Sequence, residues 1–307
     1  MDEAKNYAEL WMGTHKSGPS VIKDTKETLP DFIQKNPDAL GARVAEKFGG
    51  ELPFLFKVLS VRQALSIQCH PNKSHAEELH AKFPDRYKDA NHKPEIAIAL
   101  TKFQGLCGFR PLKEIQNFVQ KIPELQTLLG DSATQGLLGC KEESYHSELK
   151  AAFTSLMRYD ADVLKTQLEK LAKRISDTSD GDELQKELFT TLNKDFPGDI
   201  GCFAIYFLNH VRLEPGEAMY LDANVPHAYL LGDCMECMAN SDNVVRAGLT
   251  PKFIDADTLV DMVQYKCATA EEQKFVGEED EDSGVMLFNP HVPDFAVNMI
   301  KVDARGA

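Results

Sequence analysis

The chain has 307 residues, with 34 Lys plus Arg against 48 Asp plus Glu and a formal net charge of −14. A composition that is 43% hydrophobic and 27% charged excludes a chain disordered throughout, and the length admits one large domain or two ordinary ones. The acidity argues against a general nucleic-acid or anionic-membrane binder, because the long-range field repels phosphate, but a local cluster of Lys and Arg could still hold a phosphorylated small molecule.

The stretch Met1–Tyr7 is charged from its second residue and has no apolar h-region, so no secretory signal is expected. No apolar run approaches the ~20 residues a membrane-spanning helix needs. The seven cysteines are odd in number and scattered, several in apolar surroundings. They are expected to be reduced thiols of a cytoplasmic protein.

In chain order, Leu52–Leu59 is an apolar run of strand length, and Leu65–His70 alternates. A helix is predicted to open at Ser74-His75-Ala76-Glu77, a capping-box pattern with Ser74 as the cap. Glu95–Thr101 alternates again. From about Pro111 to Phe196 the periodicity turns helical. Leu164, Leu168, Leu171 and Ile175 form one stripe, and Leu184, Leu188 and Leu192 another. Ser176–Gly181 reads as a loop between them, and Pro197-Gly198 ends the helical part. Strands resume with Cys202–Leu208. Val211–Leu213 and Glu217–Leu221 then read as a hairpin around Glu214-Pro215-Gly216, with Pro and Gly at the central positions of a type II turn. Asp255–Gln264 is a short amphipathic helix, Glu278–Asp282 a solvated like-charge loop, and Phe295–Val302 a final strand. A β core interrupted by helices is expected to close as a barrel or sandwich.

Three segments carry candidate chemistry. In Leu65–Pro71, alternation puts Ser66, Gln68 and His70 on one face and Leu65, Ile67 and Cys69 on the other. In His92–Leu100, Glu95 shares a face with Ala97 and Ala99, which leave room in front of a carboxylate that needs a cation, either Lys93 or a metal. After a Pro-containing turn, His227 and Tyr229 share a strand face. Read singly, each polar group also fits a solvated or hydrogen-bonded side chain. Together, Gln68, His70, Glu95 and His227 supply two imidazoles, a carboxylate and an amide oxygen, donors that suit Zn(II). Two histidines and a carboxylate also make the facial triad of iron(II) oxygenases, a competing reading. Lys57 interrupts an apolar run and Arg246 sits among small and apolar residues, so each is either a structural ion pair or an anion contact. Two arrangements are set aside. Cys234 and Cys237 have CxxC spacing but no second pair, and alternation places them on opposite faces. His75 and His80 lie about 140° apart around a helix and cannot share an ion.

Nearly the whole chain resembles the type I phosphomannose isomerase family. The motifs are Tyr7–His15, Leu65–Lys73, Asp89–Glu95, Gly105–Pro111, Gly198–Gly201 and Ala223–Phe253. The resemblance implies a mainly β fold with an α insertion. That fold is a cupin-like jelly-roll barrel interrupted by a helical subdomain, with an incomplete second cupin domain because the family's outer β segments are mostly lacking here. It implies residues 1–110 as the first part of the catalytic cupin, 111–197 as the helical insertion, 198–270 as the remainder of the cupin and 271–307 as the start of a C-terminal β-domain. It implies interconversion of mannose 6-phosphate and fructose 6-phosphate, feeding GDP-mannose synthesis for glycosylation, in a cytoplasmic monomer. One zinc per chain is implied on Gln68, His70, Glu95 and His227. Lys93 is expected to be the proton shuttle, with a pKa lowered beside the metal, and Arg246 the charge stabiliser; Glu236 and Asp242 are alternative proton carriers. Lys57, Ser66, Glu9 and Tyr229 are expected to bind substrate. The alternative is a truncated, catalytically silent binding or regulatory form.

Overall fold

The computed structural model describes residues 9–177, 182–280 and 283–302. The chain runs β1 (Glu9–Gly13), α1 (Leu29–Lys35), α2 (Ala42–Phe48), β2 (Phe54–Val61), β3 (Ile67–Cys69), α3 (Lys73–Lys82), β4 (Glu95–Ala99) and β5 (Phe103–Phe109). The helices α4 (Leu112–Lys121), α5 (Pro123–Gly139), α6 (Tyr145–Met157), α7 (Ala161–Asp177), α8 (Lys186–Asp195) and α9 (Gly201–Ala204) follow. After them come β6 (Leu208–Leu213), β7 (Ala218–Leu221), β8 (His227–Ala239), β9 (Val245–Gly248), α10 (Ala256–Met262), β10 (Lys274–Phe275), β11 (Glu278–Asp280), β12 (Val285–Phe288) and β13 (Val297–Ile300).

One long strand organises the barrel. The first part of β8 pairs with β3 and β5, and the second with β2 and β4, so β8 belongs to both walls. It turns between them at Gly232, where φ is +108° and a Cβ would press on the Lys102 carbonyl and lie 2.9 Å from Phe103 Cα. A residue without a Cβ is needed there. The interior beneath is apolar, with Phe103, Val211, Leu213, Met219, Tyr229 and Cys234 buried together. Both outer faces are also covered. Ile67, Cys69, Leu106, Ala228, Leu230, Val245 and Ala247 pack against the helices in the largest core, while Ile96, Ile98 and Cys237 pack against Phe288 of the small β11–β12–β13 sheet and Phe295 of the segment leading into β13. Every residue of β4 is accordingly buried, which explains its apolar composition on both sides.

The stripe Leu164, Leu168, Leu171 and Ile175 lies buried along α7. Several local expectations need correction. Val211–Leu213 and Glu217–Leu221 are not a hairpin, because β6 pairs with β5 whereas β7 pairs with β4 and β10. The turn itself is as expected: the Glu217 N–H donates to Glu214 O at 2.9 Å, with Gly216 at φ +91°. The Gly216 N–H donates to Ala99 O, and the turn carries the chain from one wall to the other instead of folding it back. Cys202–Leu208 is mostly not strand; Gly201–Ala204 forms α9, and its apolar side chains fill the space between the helices and the barrel. The cap of α3 is Asn72, which accepts from the His75 N–H at 2.9 Å, not Ser74. Leu184 and Leu192 do not share a helix, since Gln185 adopts φ 52° and α8 begins after it. Glu278–Asp280 is a strand paired with β12 despite its charge. The loop expected at Ser176–Gly181 begins inside α7, and its remainder lies outside the described residues.

On the outer face of β6, His210 lines a cavity of about 500 Å³ against α8, together with Arg62, Gln104 and Arg212. Burial, then Arg212 and Arg110, lowers its pKa to about 4. A histidine in an unfolded chain titrates near 6.5. Between these values the unfolded chain binds a proton that the folded chain refuses, so stability falls as pH drops from about 6.5 to 4 and is flat above. The expected loss from this residue between pH 7 and pH 5 is about 2 kcal/mol. Denaturant melts at the two pH values should show the loss shrinking by that amount in His210→Gln; an unchanged loss would place the acid sensitivity elsewhere.

Candidate metal centre and its surroundings

Gln68 is paired with His227 on one side and with Arg246 on the other, so strands β8, β3 and β9 carry these three residues in a row. Directly opposed residues share a face. That face is the barrel interior, because Val245 and Ala247 beside Arg246 point the other way into the helical core. Glu95 opens β4, and His70 follows β3.

His70, Glu95 and His227 are all buried, and their ligand atoms lie within 4.8 Å of one another. Glu95 Oε2 stands 3.4 Å from His70 Nε2 and 3.3 Å from His227 Nε2. The opposite ring nitrogens face main-chain carbonyls, His70 Nδ1 at 2.7 Å from Asn243 O and His227 Nδ1 at 2.8 Å from Val225 O. A carbonyl only accepts, so Nδ1 carries the hydrogen in each neutral ring and the Nε2 lone pairs face inward. Burial first, then Lys93, lowers the pKa of His70 to about 4, so that ring is neutral near pH 7. Two lone pairs aimed at a carboxylate oxygen repel unless a cation lies among them, and His70 Nε2 is buried without a hydrogen-bond partner. The donor set therefore fits a divalent metal, and two imidazoles with a carboxylate suit zinc. Burial alone would raise the Glu95 pKa, but Lys93 and His70 outweigh it and hold the carboxylate well below its usual range. Lys93 Nζ lies 2.9 Å from Glu95 Oε1.

A second charged row adjoins the first. Trp11, Lys57, Glu236 and Ala97 are successive cross-strand partners on β1, β2, β8 and β4. Lys57 Nζ is 2.8 Å from Glu236 Oε2, 3.7 Å from Glu9 Oε2 and 5.1 Å from the Trp11 ring centroid. Tyr229 Oη donates to Glu236 Oε1 at 2.7 Å. Burial alone would lower the Lys57 pKa, but Glu236, Glu95 and Glu9 outweigh it and raise it. Burial, reinforced by Glu236, pushes the Tyr229 phenol well up, so it remains a neutral donor.

A cavity of about 170 Å³ is lined by Glu9, Lys57, Gln68, Lys93, Glu95, His227, Tyr229 and Glu236. The structure thus gathers eight of the twelve residues singled out in the sequence around one space, with His70 beside them through its contact with Glu95. Three others stand apart from that lining. Ser66 is half-buried two residues before Gln68. Asp242 has a 56% exposed side chain, with Oδ1 3.2 Å from His15 Nε2. Arg246 is half-buried on the interior face and makes no ion pair with any described residue; burial lowers its pKa. Cys234 and Cys237 sit in separate cores on opposite faces of β8. His80 Nδ1 lies 2.7 Å from Tyr87 O and joins no metal-ligand group among the described residues. Trp11 and the carbonyls of Val225 and Asn243 were not foreseen. Trp11 is the chain's single tryptophan, a signal that could have marked it; the carbonyls leave none in a sequence.

The fold and this centre define a cupin-like barrel enzyme with a helical insertion and a buried cluster of two histidines and one carboxylate able to ligate a metal. Residues 1–112 match the catalytic domain of type I phosphomannose isomerase and residues 126–208 its helical insertion domain. The chain belongs to the type I phosphomannose isomerase family, whose reaction is an aldose–ketose isomerisation of a sugar phosphate. Mannose-6-phosphate isomerase of Mus musculus is 53% identical over 313 residues, and that of Homo sapiens 51% identical over 311; each comparison covers 98% of this chain and 74% of the relative. Among solved structures, a mutant phosphomannose isomerase from Salmonella typhimurium has a TM-score of 0.85 at 37% identity, covering 97% of this chain and 76% of that one. A mannose 6-phosphate isomerase bound with zinc and yttrium has a TM-score of 0.82 at 38% identity, covering 95% and 74%.

Proposed function

We propose that this chain interconverts mannose 6-phosphate and fructose 6-phosphate with one zinc ion held by Gln68, His70, Glu95 and His227, and that it feeds GDP-mannose synthesis for glycosylation as a cytoplasmic monomer. The inward-facing Nε2 atoms of His70 and His227 around Glu95 carry this reading. Its domain division is 1–110 and 198–270 for the catalytic cupin, 111–197 for the helical insertion and 271–307 for the C-terminal β segment.

Zinc bound in this cluster supplies Lewis-acid polarisation of the substrate carbonyl. Lys93, held at the cavity by Glu95, moves the proton between carbons 1 and 2 of the open-chain sugar. Arg246 has no anionic partner within the described chain and stabilises the negative charge that develops on the substrate oxygen. Glu236, fixed between Lys57 and Tyr229, and Asp242 are the candidate proton carriers for ring opening. Lys57, Ser66, Glu9 and Tyr229 bind the substrate. In this acidic chain Lys57 and Lys93 are already offset by Glu236 and Glu95, so Arg246 and a bound zinc ion would supply the local positive charge that attracts a phosphate ester.

The test is a coupled assay of mannose 6-phosphate turnover by the purified chain, before and after chelation and after zinc is restored. Turnover lost on chelation and regained with zinc is expected. A folded chain with no turnover when loaded with zinc would favour the catalytically silent form instead.

A further inference from the structure

His227 needs no distant help to orient its ring, because the Val225 carbonyl that accepts from its Nδ1 is two residues away. His70 depends on a carbonyl 173 residues further along the chain. A loop carbonyl can hold a ring only if the loop itself is held. Asn243 is 1% exposed and Ser241 3%, and their bonds account for that rigidity. The Asn243 Nδ2 hydrogens face Asp89 O at 2.7 Å, Asn91 O at 2.9 Å and Asp89 Oδ1 at 3.2 Å. The Asn243 N–H donates to Ser241 Oγ at 3.1 Å, and Ser241 Oγ lies 2.8 Å from Asp89 Oδ1. The other carboxylate oxygen of Asp89 accepts from the Asp242 N–H at 2.8 Å.

We propose that Asn243 is a positioning residue for the metal centre: its side-chain amide locks its own main-chain carbonyl against His70 Nδ1, fixing the tautomer of that ring and the aim of Nε2. The inference rests on the proposed metal-binding role of His70. An amide suits the place because it gives a hydrogen to each of two carbonyls, those of Asp89 and Asn91; a carboxylate there would face them with oxygen, and a shorter side chain would leave Asp89 O unpaired and Asn91 O with only the Ser241 hydroxyl, at 3.1 Å. The same bonds tie the 241–243 loop to residues 89–91, which lead directly into Lys93 and Glu95. One polar cluster therefore fixes the entry to one ligand and the ring of another, the kind of outer support that tunes metal affinity.

Zinc affinity of the full chain, measured by competition with a chromophoric chelator, tests the proposal in Asn243→Ala and the milder Ser241→Ala. Asn243→Ala is expected to weaken zinc binding about 10–100-fold, and Ser241→Ala by a smaller factor. The metal-free protein gives an independent readout: long-range proton–nitrogen NMR should show His70 as the Nδ1–H tautomer, and a mixture in Asn243→Ala. If Asn243→Ala does not fold, Ser241→Ala decides. A folded variant with unchanged zinc affinity and unchanged tautomer overturns the proposal while leaving the metal reading intact. A parent chain that binds no zinc overturns both.

Discussion

Glu95→Gln is expected to lower turnover by at least about 10³-fold and to strip most of the zinc from the protein. The substitution keeps the shape of the side chain and removes its charge. Glu95 Oε2 is the atom on which both imidazoles converge, so the variant offers the metal two neutral rings and two amides, with no anion to offset its charge. Loss of the Lewis acid removes several kcal/mol of transition-state stabilisation, and each 1.36 kcal/mol is tenfold in rate. A second effect acts on the apoprotein. Lys93 is mostly buried, with an 11% exposed side chain, and Glu95 is the carboxylate it contacts; leaving a buried ammonium without its partner destabilises by about 3–5 kcal/mol in comparable pairs. Metal analysis alongside the assay separates the two effects. A variant that retains stoichiometric zinc and turnover within tenfold of the parent would sink the assignment of Glu95.

For Arg246→Ala the expected outcome is a kcat lower by about 10²–10³-fold with zinc content unchanged. The magnitude follows from removing one preorganised charge aimed at a developing oxyanion. This variant is cleaner than Glu95→Gln because the guanidinium makes no ion pair with any described residue, so its removal strands no buried charge, and the melting temperature should move little. Arg246→Lys should recover only part of the loss, since an ammonium lacks the planar fork. Equal falls in kcat and kcat/KM would mark an interaction made in the transition state. A rise in KM with kcat intact would instead make Arg246 a binding group for the sugar phosphate.

The shared faces that bring Gln68, Glu95 and His227 to one cavity, with His70 beside Glu95, were legible because side-chain direction along a strand is local. Gln68 and His70, or Glu95, Ala97 and Ala99, share faces by a period of two that needs no knowledge of the partner strand. The helical stripe of α7 was legible for the same reason at a period of 3.6. Lys57 was legible as a problem, a cation in an apolar run, though its partner Glu236 was not visible as such. The same rule misled at Leu184–Leu192, where the spacing of leucines is compatible with one helix but Gln185 at positive φ breaks it.

By itself, then, the amino-acid sequence determined what each residue could offer and which neighbours it could face: the donors, the alternation, the turn at Pro215-Gly216, the acidic chain with its few interior cations. Only the tertiary structure decided which of these meet. Tyr229 and Glu236 are seven apart, on opposite faces of any regular strand, and touch because β8 turns at Gly232 into the second wall. The turn at Gly216 sends β7 to β4, not back to β6, and the Gly216 N–H donates to Ala99 O at the end of β4. The inward aim of His70 Nε2 depends on a carbonyl beyond the whole helical insertion. Period and turn chemistry act over a few bonds and can be read in order, whereas strand pairing, wall changes and ring tautomers are fixed by contacts between distant segments that form only when the chain closes on itself.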